Sequence, residues 1–296
     1  MAQEQMCMPT VINPYKEALA YEYLYSERGS SLKTISSMTV DKGMLPSEAA
    51  GGRLFSSEVE ADIQSYFDSK LAFDADLGGF GVAIDGTPQY PTKLHDANER
   101  VPLIYYRGDI NLIERRSVSI VGARKASPEG CSRATRLARF LAKEDICVVS
   151  GLAKGIDTAA LVSAIKAGGR VVGVIGTPID ETYPRENAPL HKAIAYGHLL
   201  VSQVPFYRYS KQPFNSKKCY FRERNVTMAA ISDATVIVEA SDTSGSLIQA
   251  KACIKQGRPL FLMRSCLDNP DIKWPARFVD AGARVLSEPE ELLGAI

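Results

Sequence analysis

Apolar positions follow two different rhythms along the chain. Before residue 80 they recur at helical spacing, as in Tyr15, Leu19, Tyr23 and Leu24. Breaks at Gly29, around Pro46 and at the Gly51-Gly52 pair divide residues 14 to about 72 into short amphipathic helices. From Ser117 onward, short apolar runs alternate with helical stretches. The run 118–121 leads into a Gly122 turn and a helix for which Ser127 is the predicted cap and Pro128 the first residue. The unit repeats, with strands expected at 146–149, 170–175, 199–204, 235–239 and 259–263. Helices are expected after Gly155, at 189–196 before the stop at Gly197, and at 244–256. This alternation predicts an α/β fold: an extended Rossmann-like, doubly wound, mostly parallel sheet, preceded by a small helical N-terminal region. The glycine-rich stretch 77–87, followed by the Tyr90-Pro91 turn, reads as a linker. The expected organisation is therefore a helical accessory region over 1–80 and a Rossmann-like domain over 85–296, opened by the segment 102–108.

Composition narrows the function classes. Apolar residues make up 45% and charged residues 23% of 296, the balance of a folded soluble chain. Net charge is only +1, so attraction for a polyanion has to come from local clusters. Six cysteines, at 7, 131, 147, 219, 253 and 266, include no C-x-x-C pair, and His95, His191 and His198 lack ligand spacing. Reduced thiols and no metal site are expected. Residues 1–10 lack signal-peptide character and no run approaches about 18 apolar residues, so a cytoplasmic protein is expected.

Doubly wound sheets bind ligands at the carboxyl ends of their strands, which directs attention to the turns after Val121, Val149, Ile175 and Glu239. The first pairs Gly122 with Arg124, a cation beside the amides that open a helix. The second, Ser150-Gly151-Leu152-Ala153-Lys154-Gly155-Ile156-Asp157, has two glycines for close phosphate approach and a lysine, yet matches neither G-x-G-x-x-G nor a P-loop. Asp157 is expected as a helix N-cap. The last turn places Ser244, Gly245 and Ser246 at a helix start, a possible anion or nucleotide contact that capping alone also explains; Glu239 beside it has no nucleophile or metal-ligand spacing near it. Between them, 206–224 carries six basic residues, one acid and six aromatics, and reads as a loop suited to phosphates and stacked bases or, in the plainer reading, as a loop packed on the domain.

Together these residues resemble the DprA/Smf family of DNA-processing proteins. Its successive signatures match Tyr90-Pro91, Tyr106-Arg107-Gly108, Val121-Gly122-Ala123-Arg124, Ser150-Gly151-Leu152-Ala153 with Gly155-Ile156-Asp157, Tyr183-Pro184 and Arg224-Asn225, over about residues 80 to 288. The resemblance implies a non-enzymatic, cofactor-free protein that binds single-stranded DNA, commonly dimerises, and hands DNA to a RecA-like recombinase during uptake or recombination. It also implies DNA contacts at Arg124, Lys154, Lys218 and Phe221, beside Gly122, Ser150, Gly151, Gly155, Arg224 and Asn225. Three departures stand out: Leu161 where the family has histidine, Val226 where it has a second arginine, and Arg264-Ser265-Cys266 in place of a Pro-Gly loop. With the sequence ending at Ile296, the winged-helix domain of many relatives is not expected. These departures keep open a role as antitoxin or regulatory partner of a cognate toxin in phage defence. A phosphoribohydrolase-like enzyme is a third reading, of which the 244–246 turn is only a partial echo.

Overall fold

The computed structural model describes residues 12–51, 58–71, 79–97 and 99–296. The expectations for residues 1–10, Gly52 and the start of the predicted linker at Leu77 lie outside them.

The N-terminal region folds as α1 (Pro14–Ser26), α2 (Leu32–Met38), α3 (Pro46–Ala49) and α4 (Glu58–Leu71). Asn13 caps α1, its Oδ1 accepting from the Tyr15 amide at 3.0 Å, and Pro14 takes the first position, where a missing N–H is harmless. The chain continues through β1 (Gly81–Ile84), α5 (Thr92–His95), β2 (Leu103–Gly108), β3 (Ser117–Gly122), α6 (Pro128–Lys143), β4 (Cys147–Ser150), α7 (Ile156–Lys166), β5 (Val171–Ile175) and α8 (Ala188–Gly197). It ends with β6 (Leu199–Ser202), α9 (Phe206–Lys211), α10 (Lys218–Ala230), β7 (Ala234–Glu239), α11 (Ser246–Lys255), β8 (Leu260–Met263), α12 (Arg264–Leu267), α13 (Trp274–Asp280) and β9 (Arg284–Leu286).

The strands form one sheet in the order β1-β2-β6-β5-β4-β3-β7-β8-β9. Pairing is parallel from β6 across to β9, and antiparallel where β2 meets β6 and β1 meets β2. The expected strands of the main domain are thus present and mostly parallel. β3, β4, β5 and β7 are buried almost throughout, which is why they read as continuous apolar runs. Strand order reverses at β3: β4 to β6 lie on one side and β7 to β9 on the other, so a crevice opens between the carboxyl ends of β3 and β7.

Three local expectations are corrected. Residues 81–84, read as linker, form the edge strand β1, whose Val82 and Ala83 pair with Tyr105 and Ile104 of β2. Ile146 does not open β4; its amide turns back to the Leu141 carbonyl at 2.9 Å and closes the end of α6. Residues 206–224 are largely helical, as α9 and most of α10. Phe206, Tyr209 and Tyr220 are buried there, with the Phe206 ring 4.9 Å from Tyr105 and 5.3 Å from Phe80. The aromatic pattern of this stretch is therefore half core.

The helical region joins the same core. The Tyr21 hydroxyl donates to the Gln203 carbonyl at 2.8 Å. Buried Glu22 accepts from the amides of Phe206 and Tyr207, both at 2.9 Å, and from the Tyr105 hydroxyl at 2.7 Å, and so closes the N-terminus of α9 from a distant helix.

Candidate nucleic-acid interface

The crevice at the strand-order reversal is a cleft of about 860 Å³. On one wall lie Gly122, Arg124 and Lys125 of the β3–α6 turn, and on the floor Asp157, Arg224 and Asn225; Glu239, Ser244, Gly245 and Ser246 line the opposite side. Seven of the residues singled out from sequence, Gly122, Arg124, Arg224, Asn225, Ser244, Gly245 and Ser246, thus share one cavity.

The glycines explain how the turns fit. Gly155 has φ +75°, and a Cβ there would stand 2.3 Å from the Ala123 carbonyl oxygen, so only glycine lets the β4–α7 turn press against the β3–α6 turn. Leu152 also has positive φ, 55°, and is held by Asn187, whose Nδ2 donates to its carbonyl at 2.8 Å. Ser150 is structural in its contacts: its buried hydroxyl donates to the Ile120 carbonyl at 2.7 Å, across to β3.

Two amide clusters expected to receive phosphate already hold carboxylates. Asp157 lies inside α7, one residue past its first, and Gly155 is the N-cap, which corrects the capping expectation. The Asp157 carboxylate accepts from the Gly151 amide at 3.2 Å and faces the amides of Ala153 and Gly122. Burial pushes its pKa up to about 6, against the pull of Arg224 and these amides. Glu239 does the same at α6: it accepts from the Ser127 amide at 2.9 Å and from the Ser127 hydroxyl, with Arg133 at 3.7 Å. Ser127 in turn caps α6 through the Gly130 amide, as expected from the sequence. Among the described residues, the Glu239 carboxylate therefore has Ser127 and Arg133 as its polar partners.

Arg224 is 5% exposed. Its Nη1 donates to the Val174 carbonyl at 2.9 Å and lies against the bare Cα of Gly151. Burial lowers its pKa to about 10, so it remains a cation at neutral pH. Asn225 is aimed by a bond from its Nδ2 to the Gly245 carbonyl, 3.0 Å.

At the mouth, the Arg124 guanidinium lies 5.9 Å from the Phe221 ring centroid, and the Tyr183 ring is 5.5 Å from Phe221. Gly176 permits this close seat for α10, since a Cβ there would come 2.7 Å from the Phe221 ring. Lys218, Phe221 and Asn225 stand three and four residues apart on one side of α10; Asn225 lines the cleft, whereas Phe221 borders it through Arg124 and Lys218, exposed at the helix start, is not among the lining residues. Lys154 is not among the lining residues; its ammonium pairs with exposed Glu186. Of the other basic residues in 206–224, Arg208 binds the Tyr25 carbonyl, Lys211 pairs with Asp62, and Lys217 lies over Tyr209.

Sequence reasoning missed Lys125, Tyr183 and Arg133 as neighbours of the site. The adjacent Arg124-Lys125 pair and the aromatic of the Tyr183-Pro184 signature were the available signals. The Arg264-Ser265-Cys266 departure forms α12, and Ser265 and Cys266 line the far end of the cleft. Leu161, in place of the family histidine, is fully buried.

A polar cleft set at the switch point of a doubly wound sheet places the chain among Rossmann-type proteins. The chain belongs to the DNA recombination-mediator protein A family, whose model matches residues 82–296. It is 35% identical over 208 residues to DNA processing protein DprA of Streptococcus pneumoniae, covering 68% of this chain and 71% of that one. It is 31% identical over 205 residues to DprA of Bacillus subtilis, covering 69% and 67%. The X-ray structure of the Streptococcus pneumoniae protein superposes with TM-score 0.70 at 25% identity over 96% of this chain and 98% of that one. That of DNA processing protein A from Helicobacter pylori, described for its single-stranded DNA binding mode, gives 0.63 at 24% over 76% and 96%. The described helices include none long and apolar enough to cross a membrane.

Proposed function

We propose that this DprA-like DNA-processing protein binds single-stranded DNA across the mouth of the cleft, without catalysing a reaction on it. The observation that carries the reading is the Arg124, Phe221 and Tyr183 cluster: a guanidinium for a phosphate beside ring faces for a base, which is what a flexible single strand offers and a stacked duplex withholds. Lys218 and Lys125 extend the cation rim, while Arg224 holds the floor. Lys154 reaches a phosphate only by leaving Glu186, so its share is smaller than that of Arg124.

The test is salt-dependent binding of a fluorescent dT20. Arg124→Ala should weaken binding and flatten the slope of log affinity against log salt by about 0.7, the share of one phosphate on a single strand. Phe221→Ala should weaken binding by about 1–3 kcal/mol with the slope unchanged, because a ring releases no counterion. Folded variants that keep the parent's affinity and slope would remove the cleft mouth as the site.

A further inference from the structure

The outer face of α6 carries a feature that the cleft does not absorb. Its core side is Gly130, Ala134, Leu137, Ala138 and Leu141. On another side, Ser132, Arg136, Arg139 and Lys143 follow one another at four, three and four residues, so they stand in a row along the helix. With Thr135 and Phe140 they line a shallow groove of about 350 Å³. Arg136, Arg139 and Lys143 are exposed, and none of the three has an acidic partner within 4 Å among the described residues. The single acid within α6 is Glu129, in its first turn. Phe140 is half-buried among these cations.

We propose that this groove is a second station for the same single strand, which leaves the cleft past Arg124 and Lys125 and runs along α6 with phosphates against Arg136, Arg139 and Lys143 and a base at Phe140. The proposal rests on the single-strand reading of the cleft. α6 starts three residues after Lys125, at the cleft mouth, and its 16 residues span about 24 Å, so the row of cations leads directly away from the first site. A row of unpaired cations alone suits an acidic protein surface equally well. The ring set into the same groove favours a nucleotide, because a base can stack on it while the phosphates on either side meet the cations.

The experiment compares dT6, long enough for the cleft alone, with dT30, on the parent and on the triple variant Arg136→Ala, Arg139→Ala, Lys143→Ala, each checked for an unchanged melting temperature. The parent should bind dT30 with a steeper salt slope than dT6. The triple variant should bind dT6 as the parent does, lose dT30 affinity several-fold at low salt, and show a dT30 slope lower by about 2, three phosphates at about 0.7 each. Parent-like dT30 affinity and slope in the triple variant overturn the second station and leave the groove to an acidic protein partner. Equal losses for dT6 and dT30 also overturn it, since the groove is then not separate from the cleft. If the parent binds neither oligonucleotide, the single-strand reading itself fails along with it.

Discussion

Gly151 has no side chain, and the buried guanidinium of Arg224 occupies the room this leaves. A Cβ at Gly151 would stand 1.6 Å from Arg224 Nη1, so Gly151→Ala has to push Arg224 off its bond to Val174 and strip Asp157 of its nearest countercharge. The expected outcome is a loss of about 1–3 kcal/mol in stability from overpacking, together with weakened dT20 binding. Parallel thermal melts and anisotropy titrations check it, and a variant that melts and binds like the parent would show that Arg224 has no fixed place in the floor. At this scale close approach leaves glycine as its mark in the chain, but what approaches Gly151 and Gly155 here is Arg224 and the Ala123 carbonyl, where the sequence suggested phosphate. It did not reveal that Glu239 fills the amides that open α6, since that bond joins positions 112 residues apart; the Asp157 bond to Gly151 lies within one turn, where a capping role was the local alternative. Nor did it separate Arg224, which is buried, from Lys218, which is exposed, although both lie in one basic run.

Helix α1 illustrates what decides an element. Its own pattern predicts an amphipathic helix and nothing more, yet Glu22 on it accepts the two amides that open α9 and the Tyr105 hydroxyl. Glu22→Ala leaves two buried donors and one half-buried donor without an acceptor. We expect it to lower stability by about 2–4 kcal/mol, with the largest loss of hydrogen-exchange protection at the start of α9. A melt within error of the parent would contradict this. The parallel strands were legible because β3 to β7 are buried on both faces and read as near-continuous apolar runs, broken only by small residues such as Ser119 and Thr235. β1 was not legible: it is four residues long, begins at Gly81 and lies at the sheet edge, so glycine punctuation outweighed its short apolar run. The helices at 206–211 and 218–230 were hidden for the opposite reason, since their aromatics are divided between the core and the cleft and give no single apolar stripe.

Across the whole molecule, three buried carboxyls share one direction of shift. Burial pushes Glu22 and Glu223 up to about 7 and Asp157 up to about 6. A carboxyl whose folded pKa lies above its unfolded value holds its proton better in the native state. Its contribution is therefore complete below about pH 4 and is lost as pH rises through 6 to 7. Each contributes at most about 1.4 kcal/mol per pH unit in that window. The melting temperature should fall between pH 5 and pH 8, and Glu223→Gln should flatten that fall; a melting temperature that rises over the same range would reverse the sign argued here. Under the proposed function, the same carboxylates also bear on which anions the cleft would admit. A free phosphate ester arriving at the openings of α6 and α7 meets Glu239 and Asp157 already seated there, whereas a polymer can pass them by and join several weak contacts through its own tether. Millimolar ATP should then displace bound dT20 no more than sodium chloride of equal ionic strength. Excess displacement would mean that the openings accept monomers. On the single-strand reading proposed above, amides already occupied by the protein's own carboxylates select for chain length, turning small phosphate esters away before a single base is read.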